Sequence, residues 1–302
     1  MTATGASISW LSLGINLVLG TLKCVVGLLA QSQALIADGF HSLVDMSTDV
    51  AALFGLRMAA KPQDGNHPYG HHKFASLSTL FIAAILLAFC LGLAITAVRE
   101  LVAGVNTVPG PWALAVALLS LLVKEWLFFA TRRVARREKS RLVMINAWHH
   151  RTDSLSSLLV CVALVAVTLG GPAWAVLDKG LALLLAGWLG FEGLKMFFQA
   201  CNDLLDAAPE AALINDLREH ILPTPGVVAY HQFRARRVGD MVEVDLHLQV
   251  NPSLTVEKGH AIAKQVKANI LARHPEVIDV LIHLEPADPE HLREEGISDF
   301  SV

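Results

Sequence analysis

Six apolar segments are each long enough to cross a bilayer, and they dictate the architecture of the first two thirds of this chain. A helical crossing needs roughly 20 residues. The segments lie near 7–30, 33–60, 76–103, 110–130, 143–168 and 174–200. In hydrocarbon every backbone N–H and C=O needs an internal partner, so the sequence predicts an α-helical membrane protein with a six-transmembrane-helix bundle. Breakers fall between the segments, at Lys61-Pro62, Pro109-Gly110-Pro111 and Gly170-Gly171-Pro172. No basic stretch precedes the first segment and no A-x-A site follows it, so it reads as a first span and not a removed leader.

Charge divides the chain in two. Residues 1–206 carry 12 acidic and 15 basic side chains, only 13% of that stretch, whereas residues 207–302 carry 15 acidic and 9 basic ones, 25%. A soluble domain has about 25% charged residues. We therefore expect a membrane domain over 1–206 and a soluble domain over 207–302. This division excludes a secreted disulfide scaffold and a simple soluble enzyme. The acidic tail argues against a nucleic-acid partner, which would call for a basic face. Cys24, Cys90, Cys161 and Cys201 are far apart with no CxxC, and read as small lipid- or core-facing hydrophobes. The connection 131–142 holds Arg132, Arg133, Arg136, Arg137, Lys139 and Arg141, and connection 61–75 holds Lys61 and Lys73. The connections near 31 and 171 hold no basic residue. By the positive-inside rule the basic connections, the tail and both termini are cytoplasmic.

The tail reads as helix 209–221, strand 227–237, strand 241–250, helix 255–273 and strand 277–285, an α+β, ferredoxin-like αββαβ unit. In the second strand Val242, Val244, Leu246, Leu248 and Val250 alternate with Glu243, Asp245, His247 and Gln249, the pattern of a half-buried strand.

Ionisable residues inside a span are costly, and each is a functional candidate. The second span presents Asp38, His41, Asp45 and Asp49 on one helix face. The fifth presents His149 and Asp153, with Asn146 a turn earlier. His41/Asp45 and His149/Asp153 share i, i+4 spacing, so two helices can close two imidazoles and two carboxylates around one ion. That set suits tetrahedral Zn²⁺. Interhelical hydrogen bonds or ion pairs are the competing reading. His150 points about 100° away from His149 on a helix, yet its i, i+3 spacing to Asp153 leaves it open as a ligand. Asp38 and Asp49 read as vestibule or structural groups as readily as ligands. Lys124 and Glu125 in the fourth span, and Glu192 and Lys195 in the sixth, are placed near span ends, where snorkelling or mutual pairing is expected.

Two further clusters lie outside the bundle. Asp64, His67, His71 and His72 fall in the loop segment around HPYGHHKFA, where a cation site competes with simple solvation. In the tail, His231, His247, His260, His283 and Glu285 could converge as a metal site, while His220, His274 and His291 read as surface residues.

With these motifs in view, the chain resembles the cation diffusion facilitator family of proton-coupled divalent-metal exporters. The resemblance rests on ADGFHSLVD in the second span, HPYGHHK in the next loop, AWHHRTDS in the fifth span and the αββαβ tail. It implies a transport site of His41, Asp45, His149 and Asp153 and a loop metal site of Asp64, His67 and His71. It also implies a regulatory, often binuclear, tail site of His231, His247, His260, His283 and Glu285, with Glu285 where a related bacterial type has Asp. It further implies a homodimer, a Lys73–Asp206 charge contact near the membrane, and residence in a bacterial inner membrane. The His-Asp/His-Asp quartet is the family's zinc-type pattern, making Zn²⁺ both substrate and regulatory ligand.

On that basis the expected function is a Zn²⁺/proton antiporter working by alternating access, and not an enzyme. Export of Cd²⁺, Co²⁺, Ni²⁺, Fe²⁺ or Mn²⁺, or a metal-sensing scaffold that transports poorly, is the alternative. An intramembrane metalloprotease would need a motif such as H-E-x-x-H, and the sequence has none.

Overall fold

The computed structural model describes residues 3–59, 61–138 and 141–287. The described residues fall into two compact units, one within 1–52 and 79–197 and one within 53–78 and 198–302. The elements run α1 (Ala3–Leu29), α2 (Gln33–Ala59), α3 (Phe74–Val102), α4 (Pro111–Glu138), α5 (Arg141–Gly170), a 3-10 turn (Gly171–Trp174) and α6 (Val176–Leu204). After these come α7 (Ala211–Glu219), β1 (Val227–Val238), β2 (Met241–Val250), α8 (Val256–Arg273) and β3 (Val277–Pro286).

Among the described residues, five of the six long helices are long and apolar enough to cross a membrane. The exception among the expected six is α2. At 27 residues it has the length, but Asp38, Asp45, Asp49 and Arg57 lie along it. Helix α4 continues to Glu138, well past the end of its apolar run. Arg132, Arg133, Arg136 and Arg137 are good helix formers and carry the helix onward. Pro111 opens α4, where its missing N–H is no loss. Outward-facing Trp10, Val18, Phe81, Trp112, Leu122 and Trp188 are largely exposed, as lipid-facing residues are.

Small residues set the helix packing. Ala34, Ala37, Ala113, Ala117 and Ala186 are buried together with Leu35, Val160 and Leu164. On α2, a Cβ added at Gly39 would lie 2.8 Å from the Lys23 Cβ and from the Cys24 backbone nitrogen. The missing side chain therefore lets α1 and α2 approach closely. The start of α2 is capped twice. Ser32 Oγ accepts from Leu35 N at 3.2 Å and donates to Asp178 Oδ1 at 2.7 Å. Asp178 Oδ2 also accepts from Gln33 N at 2.8 Å, placing a carboxylate at the positive end of the helix. All four cysteines are free, with Cys90 and Cys161 buried.

The tail forms a three-stranded sheet in the order β1-β2-β3. Strands β1 and β2 are antiparallel through the Gly239-Asp240 turn, where Gly239 has φ +65°. Strands β2 and β3 are parallel, and α8 provides the crossover. Leu217 and Ile221 from the α7 segment, Val266 and Ile270 from α8, and Val244, Leu246 and Leu248 from β2 share one core. Among the described residues the helices therefore cover one sheet face and leave the other open. Thr255 caps α8 by accepting from Lys258 N.

Candidate metal centres

In the bundle, one donor atom each from His41, Asp45 and Asp153 lies within 4.8 Å of the others. His41 Nδ1 is 3.5 Å from Asp45 Oδ2 along α2. His149, whose side chain is 49% exposed, stands apart from that trio, with Nε2 at 3.9 Å from Asp153 Oδ1. Three of the four anticipated residues thus converge, and the fourth faces one of them. His150 is buried and turned away, its Nε2 2.5 Å from Ser12 Oγ. The side chain of Asp49 lies outside the described residues.

Lysines at the site's flank overturn one expectation. Lys124 does not snorkel and does not pair with Glu125. It is fully buried, with Nζ 3.4 Å from Asp153 Oδ2 and donating to Ser42 Oγ at 3.1 Å. Glu125 instead accepts from Ser154 Oγ at 2.7 Å. The physical reason is the extension of α4 to Glu138, which moves Lys124 from a span end to mid-helix. Lys195 and Glu192 do pair, at 3.3 Å, and are exposed.

A second buried lysine was not picked out from sequence. Lys23 on α1 is fully buried, 2.7 Å from Asp38 Oδ2, and donates to Ser157 Oγ at 3.0 Å. Asp38 also accepts from Ser156 at 2.8 Å and Ser157 at 2.9 Å. With every oxygen engaged, Asp38 is a structural ion-pair partner. The visible signal was a lone lysine within an apolar segment.

In the loop, Asp64 organises a compact turn. Its Oδ1 accepts from the backbone nitrogens of His67 at 2.7 Å and Asn66 at 2.9 Å. His67 Nδ1 lies 3.2 Å from Oδ1 and His71 Nε2 lies 3.4 Å from Oδ2. The His67 backbone hydrogen bond, ahead of the other contacts, holds the Asp64 carboxyl below its usual range. His71 is buried and stacks on Phe74, and His72 is outside the converging group. Nearby, Lys73 Nζ donates to Asp206 Oδ1 at 2.9 Å, and Arg236 Nη1 is 3.6 Å from Asp206 Oδ2.

On the open sheet face, strand register brings the tail histidines into a row. His231 pairs with His247, and His247 with His283, across β1, β2 and β3. A bulge follows His231, with Gln232 at φ 46°, which turns the strand next to the site. Glu285 bridges the row: its Oε2 is 2.7 Å from His231 Nε2 and its Oε1 2.7 Å from His247 Nδ1. His283 Nε2 is 3.5 Å from Oε1. Burial pushes the Glu285 carboxyl up, but the hydrogen bonds and charge of His231 and His247 outweigh it and hold it below its usual range. His260 is exposed on α8 and lies outside this group.

Of the three histidines read as surface residues, one is buried. His274 is buried and His220 half-buried, and His291 lies outside the described residues. His274 immediately follows α8 and is folded under by its C-terminal turn, where its backbone N–H bonds Ile270 O.

Comparison with known proteins gives these clusters a common setting. The family description "cation efflux transmembrane domain" matches residues 9–205, and "cation efflux protein, cytoplasmic domain" matches residues 209–287. The chain belongs to the cation diffusion facilitator family. Metal tolerance protein C1 of Arabidopsis thaliana is 37% identical over 94% of this chain, which spans 63% of that protein's length. Metal tolerance protein 2 of Oryza sativa is 32% identical over 92% of this chain and 78% of its own. Magnetosome protein MamM of Magnetospirillum gryphiswaldense is 31% identical over 88% of this chain and 84% of its own. As a facilitator-family membrane protein, the chain carries the His41 and Asp64 clusters within the matched transmembrane domain and the Glu285 cluster within the matched cytoplasmic domain.

Proposed function

We propose that this chain exports divalent cations, Zn²⁺ foremost, from the cytoplasm in exchange for protons. The observation that carries the reading is the convergence of His41, Asp45 and Asp153 from two helices, with His149 facing Asp153. Residues 1–206 act as the transport domain, and residues 207–302 as a cytoplasmic, metal-binding dimerisation domain. Both termini face the cytoplasm of a bacterial inner membrane, and the working unit is a homodimer. The relatives named as metal tolerance proteins support a metal substrate.

The chemistry follows from the donors. A metal ion binds neutral imidazole and ionised carboxylate, so loading releases protons and protonation ejects metal. Histidine's ordinary pKa near 6.5 suits that exchange. Alternating access needs the metal to bind the two facing states unequally. Lys124 supplies a positive charge that takes over Asp153 once the metal leaves. The loop group Asp64, His67 and His71 and the tail group His231, His247, His283 and Glu285 are regulatory Zn²⁺ sites in this reading, and Lys73–Asp206 is a structural charge contact.

A second reading concerns the metal. With one imidazole and two carboxylates in the tight trio and His149 half exposed, the donor set also admits Cd²⁺, Co²⁺, Ni²⁺, Fe²⁺ or Mn²⁺. Uptake into proteoliposomes from a panel of these metals separates the readings. Zn²⁺ is expected to move fastest, and His41→Asp to raise the Cd²⁺/Zn²⁺ rate ratio. A fastest rate with another metal selects the second reading, and no transport of any metal defeats both.

A further inference from the structure

The tail contains a second cluster, on the helix-covered side of the sheet and separate from the row around Glu285. Asp216 and His220 lie one turn apart on the face of α7, and His274 closes the end of α8. One donor atom from each lies within 4.8 Å of the others. His220 Nε2 is 3.8 Å from Asp216 Oδ1, and the His220 and His274 rings are 5.2 Å apart.

His274 is the informative member. It is 4% exposed, and its Nε2 is buried with no hydrogen-bond partner among the described residues. A buried ring nitrogen without a partner is uncommon in a folded protein and asks for an explanation. Its other nitrogen, Nδ1, lies 3.1 Å from Glu276 Oε1. A carboxylate on Nδ1 fixes the proton there and leaves the Nε2 lone pair free. Metal-binding histidines characteristically have this carboxylate-imidazole arrangement.

Arg273 is the competitor. Its exposed guanidinium places Nη1 3.2 Å from His220 Nδ1, so it occupies a ring lone pair and a positively charged position that a bound metal ion would contest. Asp216 is 58% exposed, which gives a metal ion access from solvent. A tetrahedral Zn²⁺ with donors at about 2.1 Å sets them roughly 3.4 Å apart, so a small contraction of the side chains would close the site.

We propose that Asp216, His220 and His274 form a divalent-cation site, best suited to Zn²⁺ with water as fourth ligand, that clips α7 to the α8–β3 junction. Glu276 orients His274, and Arg273 withdraws into solvent when the metal arrives. The proposal is independent of the transport reading, because the clip needs no movement of ions across the membrane.

The test counts bound metal. Purified full-length protein in detergent is stripped, equilibrated with Zn²⁺ at pH 7.5 and assayed for zinc per chain, with circular dichroism as the folding check. The double variant Asp216→Asn/His220→Gln, which alters the more exposed members and spares buried His274, should bind one Zn²⁺ fewer per chain than wild type. Arg273→Ala, on the surface, should keep the wild-type count and lower the half-saturating Zn²⁺ concentration of one site several-fold. An unchanged zinc count in the folded double variant overturns the proposal, as does weakened binding in Arg273→Ala.

Discussion

Lys124 Nζ lies 3.4 Å from Asp153 Oδ2, a buried ammonium against a carboxylate of the proposed transport site. Two unit charges about 4 Å apart interact by about 4 kcal/mol at an effective dielectric of 20. A divalent ion held by Asp153 meets that ammonium as a repelling neighbour. Lys124→Met should therefore tighten Zn²⁺ binding, by tenfold or more, ~1.4 kcal/mol per decade, and slow turnover. Competition titration and uptake rates on the same preparation check both. Weaker binding in the variant would show that Lys124 supports the ligands and does not compete with the metal.

The Lys23–Asp38 pair, fully buried at 2.7 Å, should behave differently. Removing one partner leaves an uncompensated buried charge, a loss of about 3–5 kcal/mol. Asp38→Ala should lower the thermal unfolding midpoint in detergent far more than Asp45→Ala. The double change Lys23→Met/Asp38→Leu should recover much of the loss. Equal midpoints for Asp38→Ala and Asp45→Ala would contradict the structural role of Asp38.

Much of this arrangement was legible before the structure. The Gly-Pro breaks placed the helices, and alternation from Val242 to Val250 placed β2 because one face of that strand is buried. The i, i+4 pairs pointed to convergence because helix periodicity puts them on one face. Lys124 was misjudged because hydropathy falls at the arginines while the helix continues, so the apolar run ends before the span does. Lys23 was passed over because its partner Asp38 is on another helix, and the pairing depends on Gly39 admitting the two backbones. His274 followed a helix end, and only the tertiary fold turns that residue inward.

The tail gives a pH signature. Hydrogen bonds and charge from His231 and His247 hold the Glu285 carboxyl below its usual value of 4.5 despite partial burial. A depressed carboxylate stabilises the folded state above its unfolded pKa, and that stabilisation disappears as pH falls through the folded value. The stability gap between the wild-type chain and Glu285→Gln should be full above pH 4.5 and shrink at lower pH. Unfolding midpoints of metal-free full-length protein between pH 7 and pH 3 would show it. A constant gap would detach Glu285 from the two histidines.

The most direct test of the account is coupled flux in proteoliposomes holding a lumenal pH dye, with the cytoplasmic face outward and the lumen acidic. Addition of external Zn²⁺ should drive zinc inward and alkalinise the lumen together. Asp45→Ala, folded and membrane-inserted, should abolish both signals. Zinc uptake that continues at the wild-type rate in Asp45→Ala, or wild-type uptake into proton-tight vesicles with no lumenal pH change, would contradict exchange at the site formed by His41, Asp45, His149 and Asp153.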